Sequence, residues 1–122
     1  MLQYNKYIKK YIKPYDYPLK EIQSRKSIED KIYVGTWNLD YTLALTLISY
    51  FKVFKANTTG FPVCKEIKSQ EDWDKILDEI INDLEFYIEH GKGGSSKESK
   101  IAYRRIKHAF NLIGKWFFDF WW

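Results

Sequence analysis

Cysteine is nearly missing: the chain of 122 residues has one, Cys64. A single thiol excludes an internal disulfide and a cysteine-built zinc site, and it suits a reducing compartment. Histidine is almost as scarce. His90 stands at a helix end and His108 on a basic stripe, and neither has a carboxylate at ligand spacing in a paired motif. Metal and acid–base chemistry are therefore poorly supported, and no metal or cofactor is expected. No Ser-His-Asp pattern or nucleophile motif is present. The segment Gly91-Lys92-Gly93-Gly94-Ser95-Ser96 has the composition of a phosphate loop but neither its spacing nor a preceding strand, and reads as a linker.

Long hydrophobic runs are also missing. The most apolar stretch, Tyr41 to Phe51, is interrupted by Thr42, Thr46 and Ser49. It is about 11 residues, where a bilayer span takes roughly 20. The N-terminus, Met1 to Lys13, carries lysines without a continuous apolar segment and does not read as a secretory signal. The expectation is a soluble protein with no membrane partner.

What the chain has is aromatic mass. Aromatic residues make up 19% and hydrophobic residues 45%, enough to drive a core in one domain over residues 1–122, with residues 1–35 as a peripheral segment. The net charge of +4 matters less than its distribution. Residues 1–35 carry eight basic and four acidic side chains, residues 69–90 one basic and eight acidic, and residues 91–122 seven basic and two acidic. Alternating blocks point to internal complementarity before a polyanion partner, so nucleic acid is disfavoured.

The periodicities predict an all-α fold, a small bundle of three main helices over about 38–55, 70–90 and 97–120 plus a short N-terminal helix. Tyr4, Tyr7, Ile8, Tyr11 and Ile12 form an amphipathic stripe that Pro14 ends. Tyr15 to Lys31 has no clean period and reads as irregular chain. The central helix, capped by Thr36 or Asn38, is apolar on nearly every face, so other elements should surround it. Ser69 and Asp72 form a start resembling a capping box, followed by Trp73, Leu77, Ile80, Leu84 and Tyr87 on one face. Ala102, Ile106, Ala109, Ile113, Trp116 and Phe120 give the last helix its inner stripe. The short linker makes these two helices antiparallel neighbours, with an acidic face beside a basic one.

Two clusters carry the functional readings. Arg104, Arg105, Lys107, His108 and Lys115 can hold phosphates by charge-assisted bonds, with Trp37, Tyr41 and Tyr103 available to stack on a base. The competing reading is a basic surface answering the acidic helix. The candidate ligand site is Trp37, Asp40, Tyr41, Arg104, Arg105, His108 and Lys115. The second cluster is the terminus, where one helix face cannot bury six aromatics. Trp116, Phe117, Phe120, Trp121 and Trp122 are candidates for an interface between copies, and the alternative is a final turn folded over the core.

Four segments occur in an order shared with a known group. They are Trp37-Asn38-Leu39-Asp40-Tyr41-Thr42-Leu43-Ala44, Gly60-Phe61-Pro62, Glu71-Asp72-Trp73-Asp74-Lys75-Ile76-Leu77-Asp78-Glu79-Ile80-Ile81 and Gly114-Lys115-Trp116-Phe117-Phe118-Asp119-Phe120-Trp121. Over roughly residues 33–122 the chain resembles a family of small, mostly uncharacterised bacteriophage proteins. That family has W-x-L-D-x-x-L-A, G-[YF]-P, E-x-W-D-x-I-L-D and G-K-[YFW]-F segments. The final Trp121-Trp122 departs from the single aromatic plus acid of that pattern. The resemblance implies a phage product in the host bacterial cytoplasm and carries over no catalytic residue. The expected function is a non-enzymatic binder that interferes with a host process, sequestering a nucleotide-type defence signal. The alternative is a protein–protein interaction module or inhibitor of a host protein. Self-association is expected in either case.

Overall fold

In the computed structural model, residues 24–91 and 96–121 are described, and every regular element among them is helical. Helix α1 spans Ile28–Gly35, α2 Leu39–Asn57, α3 Gln70–His90 and α4 Lys97–Trp116, followed by a 3-10 turn at Phe117–Asp119. The three long helices lie where the periodicities put them, except that α-helical geometry ends at Trp116 and the last turn tightens. The short helix expected before Pro14 lies outside the described residues.

Helix α1 corrects the reading of irregular chain up to Lys31. Ser27 Oγ accepts from the Asp30 amide at 3.1 Å, with Glu29 and Asp30 in the first turn, so a complete N-cap starts a helix that apolar spacing alone does not announce. It ends where Thr36 donates its hydroxyl to Tyr33 O at 2.7 Å. Asn38 occupies the cap position of α2 without a side-chain cap bond. Ser69 and Ser96 cap α3 and α4 by accepting from Asp72 N and Ser99 N.

Side-chain pairs give the helix directions. Trp73, early in α3, meets Trp116, late in α4, while Tyr87 meets Tyr103. Those helices are antiparallel. Tyr41, early in α2, donates its hydroxyl to Ile88 O at 3.0 Å, and Lys55 reaches Asp78 at 2.7 Å, so α2 also runs against α3. The bundle is up-down-up, with α2 and α4 side by side on α3. Ser99, Ala102 and Ala109 are fully buried, and these small side chains let α4 lie close to α3.

The surrounded helix is α3, which corrects the expectation for the central apolar one. Trp73, Leu77, Ile80, Ile81, Leu84 and Ile88 are all buried, filling a sector wide enough to meet both neighbours. Helix α2 buries Tyr41, Ala44, Leu45, Ile48 and Phe51 on one side and leaves Leu39 and Leu43 each 48% exposed on the other. Its apolar residues outnumber the faces it can bury, and α4 packs on α3 instead of covering the remainder. Among the described residues no helix is long and apolar enough to cross a membrane.

Candidate functional site

Because α2 and α4 both lean on α3, a groove runs between them on the side away from it. Leu39, Leu43, Leu47, Tyr50 and Phe54 follow each other at helical spacings of four, four, three and four along one stripe of α2. A cavity of about 410 Å³ opens at the groove's first half. Asp40, Leu43 and Ala44 of α2 line it on one side, Ile106, Lys107, Phe110 and Asn111 of α4 on the other, and Tyr87 of α3 between them. A second cavity, of about 330 Å³, lies further along the same stripe, lined by Leu47, Tyr50, Phe51, Val53, Phe54 and Phe120.

The polar centre of the first cavity is one hydrogen bond. Tyr87 donates its hydroxyl to Asp40 Oδ2 at 2.6 Å. Burial pushes the Tyr87 hydroxyl well above the ordinary tyrosine range, and the bond to the Asp40 carboxylate and its charge push it further. Tyr87 therefore keeps its proton and acts as a donor, not as a base or nucleophile. Asp40 keeps one oxygen able to accept a further bond, and Lys107 and Asn111 offer donors from the opposite wall. The result is an apolar trough with three polar handles, suited to binding.

The residues singled out from sequence do not assemble there as a set. Asp40 lines the cavity. Tyr41, one residue on, points into the core at 2% exposure. Trp37 is exposed, edge-on to Tyr33 at 6.1 Å and outside the cavity lining. Arg105 donates Nε–H to Asp83 Oδ1 at 2.8 Å and lies over the Phe86 ring at 4.4 Å, while His108 Nδ1 is 2.6 Å from Asp83 Oδ2. Lys115 pairs with Glu66 and lies over the Trp116 ring. Arg104 is exposed and outside the cavity lining. Of the basic cluster, Lys107 alone reaches the cavity, and three members answer carboxylates of the same chain.

Sequence reasoning passes over Leu43, Tyr87, Phe110 and Asn111. Tyr87 continues the buried stripe of α3, and only the open groove beside that stripe gives it a second role. For Leu43 a signal existed: a helix apolar all round, in a chain with few elements to cover it, has a face left over.

The aromatic terminus divides. Trp116 is buried, and Phe120 folds back among Phe51, Phe54 and Trp73, at ring-centre distances of 5.0, 6.0 and 5.8 Å. Phe117, Phe118 and Trp121 stand exposed, Phe118 at 89%. Trp122 lies outside the described residues. Asp119 and Trp121 share a small cavity of about 230 Å³ with Thr59, Gly60, Phe61 and Pro62, so two of the ordered sequence segments meet. Among the described residues no three His, Cys, Asp or Glu side chains group as a metal site.

The fold and its groove define a small all-helical bundle with an open apolar trough. Compared with known protein families, characterised proteins and solved structures, the chain matches none of them.

Proposed function

We propose that the chain is a non-enzymatic binding protein, a protein-interaction module whose docking surface is the groove between α2 and α4. Its four ordered sequence segments support a bacteriophage product that interferes with a host process in the bacterial cytoplasm. The observation that carries the binding reading is the apolar lining of the groove. Leu43 and Phe110, large apolar side chains, each stay nearly half exposed where they line the cavity, and Leu39 stays so one turn before Leu43 on the same stripe. Large apolar side chains gathered with a few polar groups in a concave site suit interaction surfaces. Two of the titratable groups beside it, Tyr87 and Asp40, are bonded to each other, which suits recognition more than turnover. Exposed Phe117, Phe118 and Trp121 support self-association through the chain terminus.

The test is affinity purification from infected bacteria with the native chain and with Leu43→Glu, followed by reconstitution with the purified partner. A stoichiometric partner that binds the native chain and not the variant supports the module. A partner held equally by both removes the groove from the reading.

A second reading, sequestration of a nucleotide-type defence signal, draws on Arg104 and Lys107. Both are exposed and make no ion pair among the described residues, and Tyr103 beside them is available to stack. Against it, a phosphate entering the cavity meets the Asp40 carboxylate, and Arg105, His108 and Lys115 are already engaged. Calorimetry with cyclic dinucleotides and ADP-ribose derivatives decides it, since an absence of heat with all of them ends the nucleotide reading.

A further inference from the structure

We infer that the occupant of the α2/α4 groove is an amphipathic α-helix of an acidic partner protein, seated as the fourth rod of the bundle. Its carboxylates face Lys100, Arg104 and Lys107. The inference rests on the groove being a docking surface and adds what fills it.

Shape comes first. Three helices packed up-down-up, with α2 and α4 both on α3, leave the cleft that a fourth helix occupies in a four-helix bundle. The strip from Leu43 to Phe54 is twelve residues of α2, a rise of roughly 16 Å at 1.5 Å per residue, which is about three helical turns. Both cavities take residues of that α2 stripe, the first facing α4 at Leu43 and the second facing Phe120 at Phe54. Such a pair of depressions takes the anchors that a helix presents at i, i+3 or i+4, and i+7. A bilayer surface is a poorer match, because Ala44 is buried and Ile106 half-buried at the floor of a concave site.

Charge chooses among helices. Lys100, Arg104 and Lys107 are exposed at spacings of four and three, so they form one row on α4 beside the groove. Among the described residues none of the three is in an ion pair, unlike Arg105, His108 and Lys115. On the α2 side the cavity offers a single acid, Asp40, already accepting from Tyr87. The rim is thus net positive. A second copy seated face to face would bring three more cations to the same strip. The chain's own N-terminal sequence, with Lys6, Lys9, Lys10 and Lys13, has the same sign again. A helix with acidic flanks is the occupant that this surface attracts and orients.

Three designed peptides of about 18 residues, five helical turns, test the inference. They share one leucine stripe and differ only in having Glu, Gln or Lys at the remaining positions, and binding is read by fluorescence anisotropy. The Glu peptide is expected to bind about tenfold more tightly than the Lys peptide at low salt, with the gap narrowing as salt rises. The double variant R104E/K107E, at exposed positions, should reverse that order, and Leu43→Glu should weaken all three. Equal binding of the Gln or Lys peptide overturns the acidic occupant and leaves the groove reading standing. Binding unmoved by Leu43→Glu, or binding by none of the peptides, brings down both. Dimerisation abolished by Leu43→Glu assigns the groove to a second copy. Capture by vesicles of anionic lipid that R104E/K107E abolishes while no peptide binds assigns the row to a membrane surface. Either result also overturns the inference.

Discussion

Arg105 of α4 donates its Nε–H to Oδ1 of Asp83 on α3 across 2.8 Å, and the Asp83 side chain is 92% buried there because the contact closes over it. His108 approaches the other oxygen, so one carboxylate holds two turns of α4. The next residue back, Arg104, faces away and is exposed. Helical geometry makes the difference: a step of one residue turns the side chain by about 100°.

Two adjacent arginines should therefore behave unlike each other. Arg105→Ala leaves Asp83 with only His108 in a site with little water, and also strips a cation from the Phe86 ring. A cost of about 1.5–3 kcal/mol is expected, below that of a fully buried pair because Arg105 is itself partly solvated. Arg104→Ala should stay within about 0.5 kcal/mol of the native chain. Urea denaturation of the two variants measures the contrast, and equal losses would refute the assignment.

Tyr87 sets the alkaline limb of stability. Its hydroxyl ionises later in the folded chain than at the ordinary value of 10.0, through burial first and then the Asp40 carboxylate. Below the ordinary tyrosine range both states hold the proton and the contribution is complete. As pH rises past about 10 the unfolded chain releases a proton that the folded chain retains, so stability falls. Tyr87→Phe should cost about 0.5–1 kcal/mol at neutral pH, for a bond whose acceptor is exposed. It should flatten the loss above the ordinary range and remove one late-ionising tyrosine from an absorbance titration. An unchanged titration count excludes this role for Tyr87.

The two phenylalanines of the terminus should separate in the same way. Phe120 is wedged among Phe51, Phe54 and Trp73, and Phe120→Ala should cost about 2–4 kcal/mol by opening that contact. Phe118 touches water almost everywhere, and Phe118→Ala should leave stability within about 0.5 kcal/mol. If the exposed rings join two copies, sedimentation equilibrium gives the native chain a mass above 14.8 kDa at micromolar concentration and returns Phe118→Ala toward it. A native chain already at that mass removes the self-association.

Where the sequence was legible, one helix face decided the structure. Trp73, Leu77, Ile80 and Leu84 fall on a single stripe, every one buried, and the acidic and basic blocks on either side of the linker meet as Asp83 meets Arg105 and His108. Where it was not, the deciding quantity was three-dimensional. Leu43 and Ile48 are both apolar and five residues apart, yet one is exposed and the other in the core, because only the position of α3 tells them apart. Helix α1 escaped because its signal is a cap, Ser27 with Asp30, on a helix that buries little beyond Val34. The groove escaped for a related reason. It is made where α4 packs on α3 and not on the outer face of α2, and a pattern along one chain segment does not record how two other helices meet.

The start of α3 gives the acid limb. Ser69 accepts from the Asp72 amide at 3.2 Å, while the Asp72 carboxylate accepts from the Lys68 amide at 2.9 Å, one residue earlier than in the reciprocal capping box. The Lys68 amide is the chief reason that the Asp72 carboxyl is held below its ordinary 3.8, with the Ser69 hydroxyl and the charge of Lys75 adding to it against some desolvation. The ionised form is thus favoured by folding. Its contribution is present above the ordinary carboxyl value and disappears as pH falls through the lowered one. Asp72→Asn should flatten the fall of stability across that interval and leave the neutral-pH helix content intact. Ser69→Ala removes the other half of the motif and should cost about 1 kcal/mol at every pH where the helix forms. A thermal-unfolding series from neutral pH down to the acid limb separates them, for one variant changes a slope and the other an offset. If both curves merely shift in parallel, Asp72 serves α3 by shape alone.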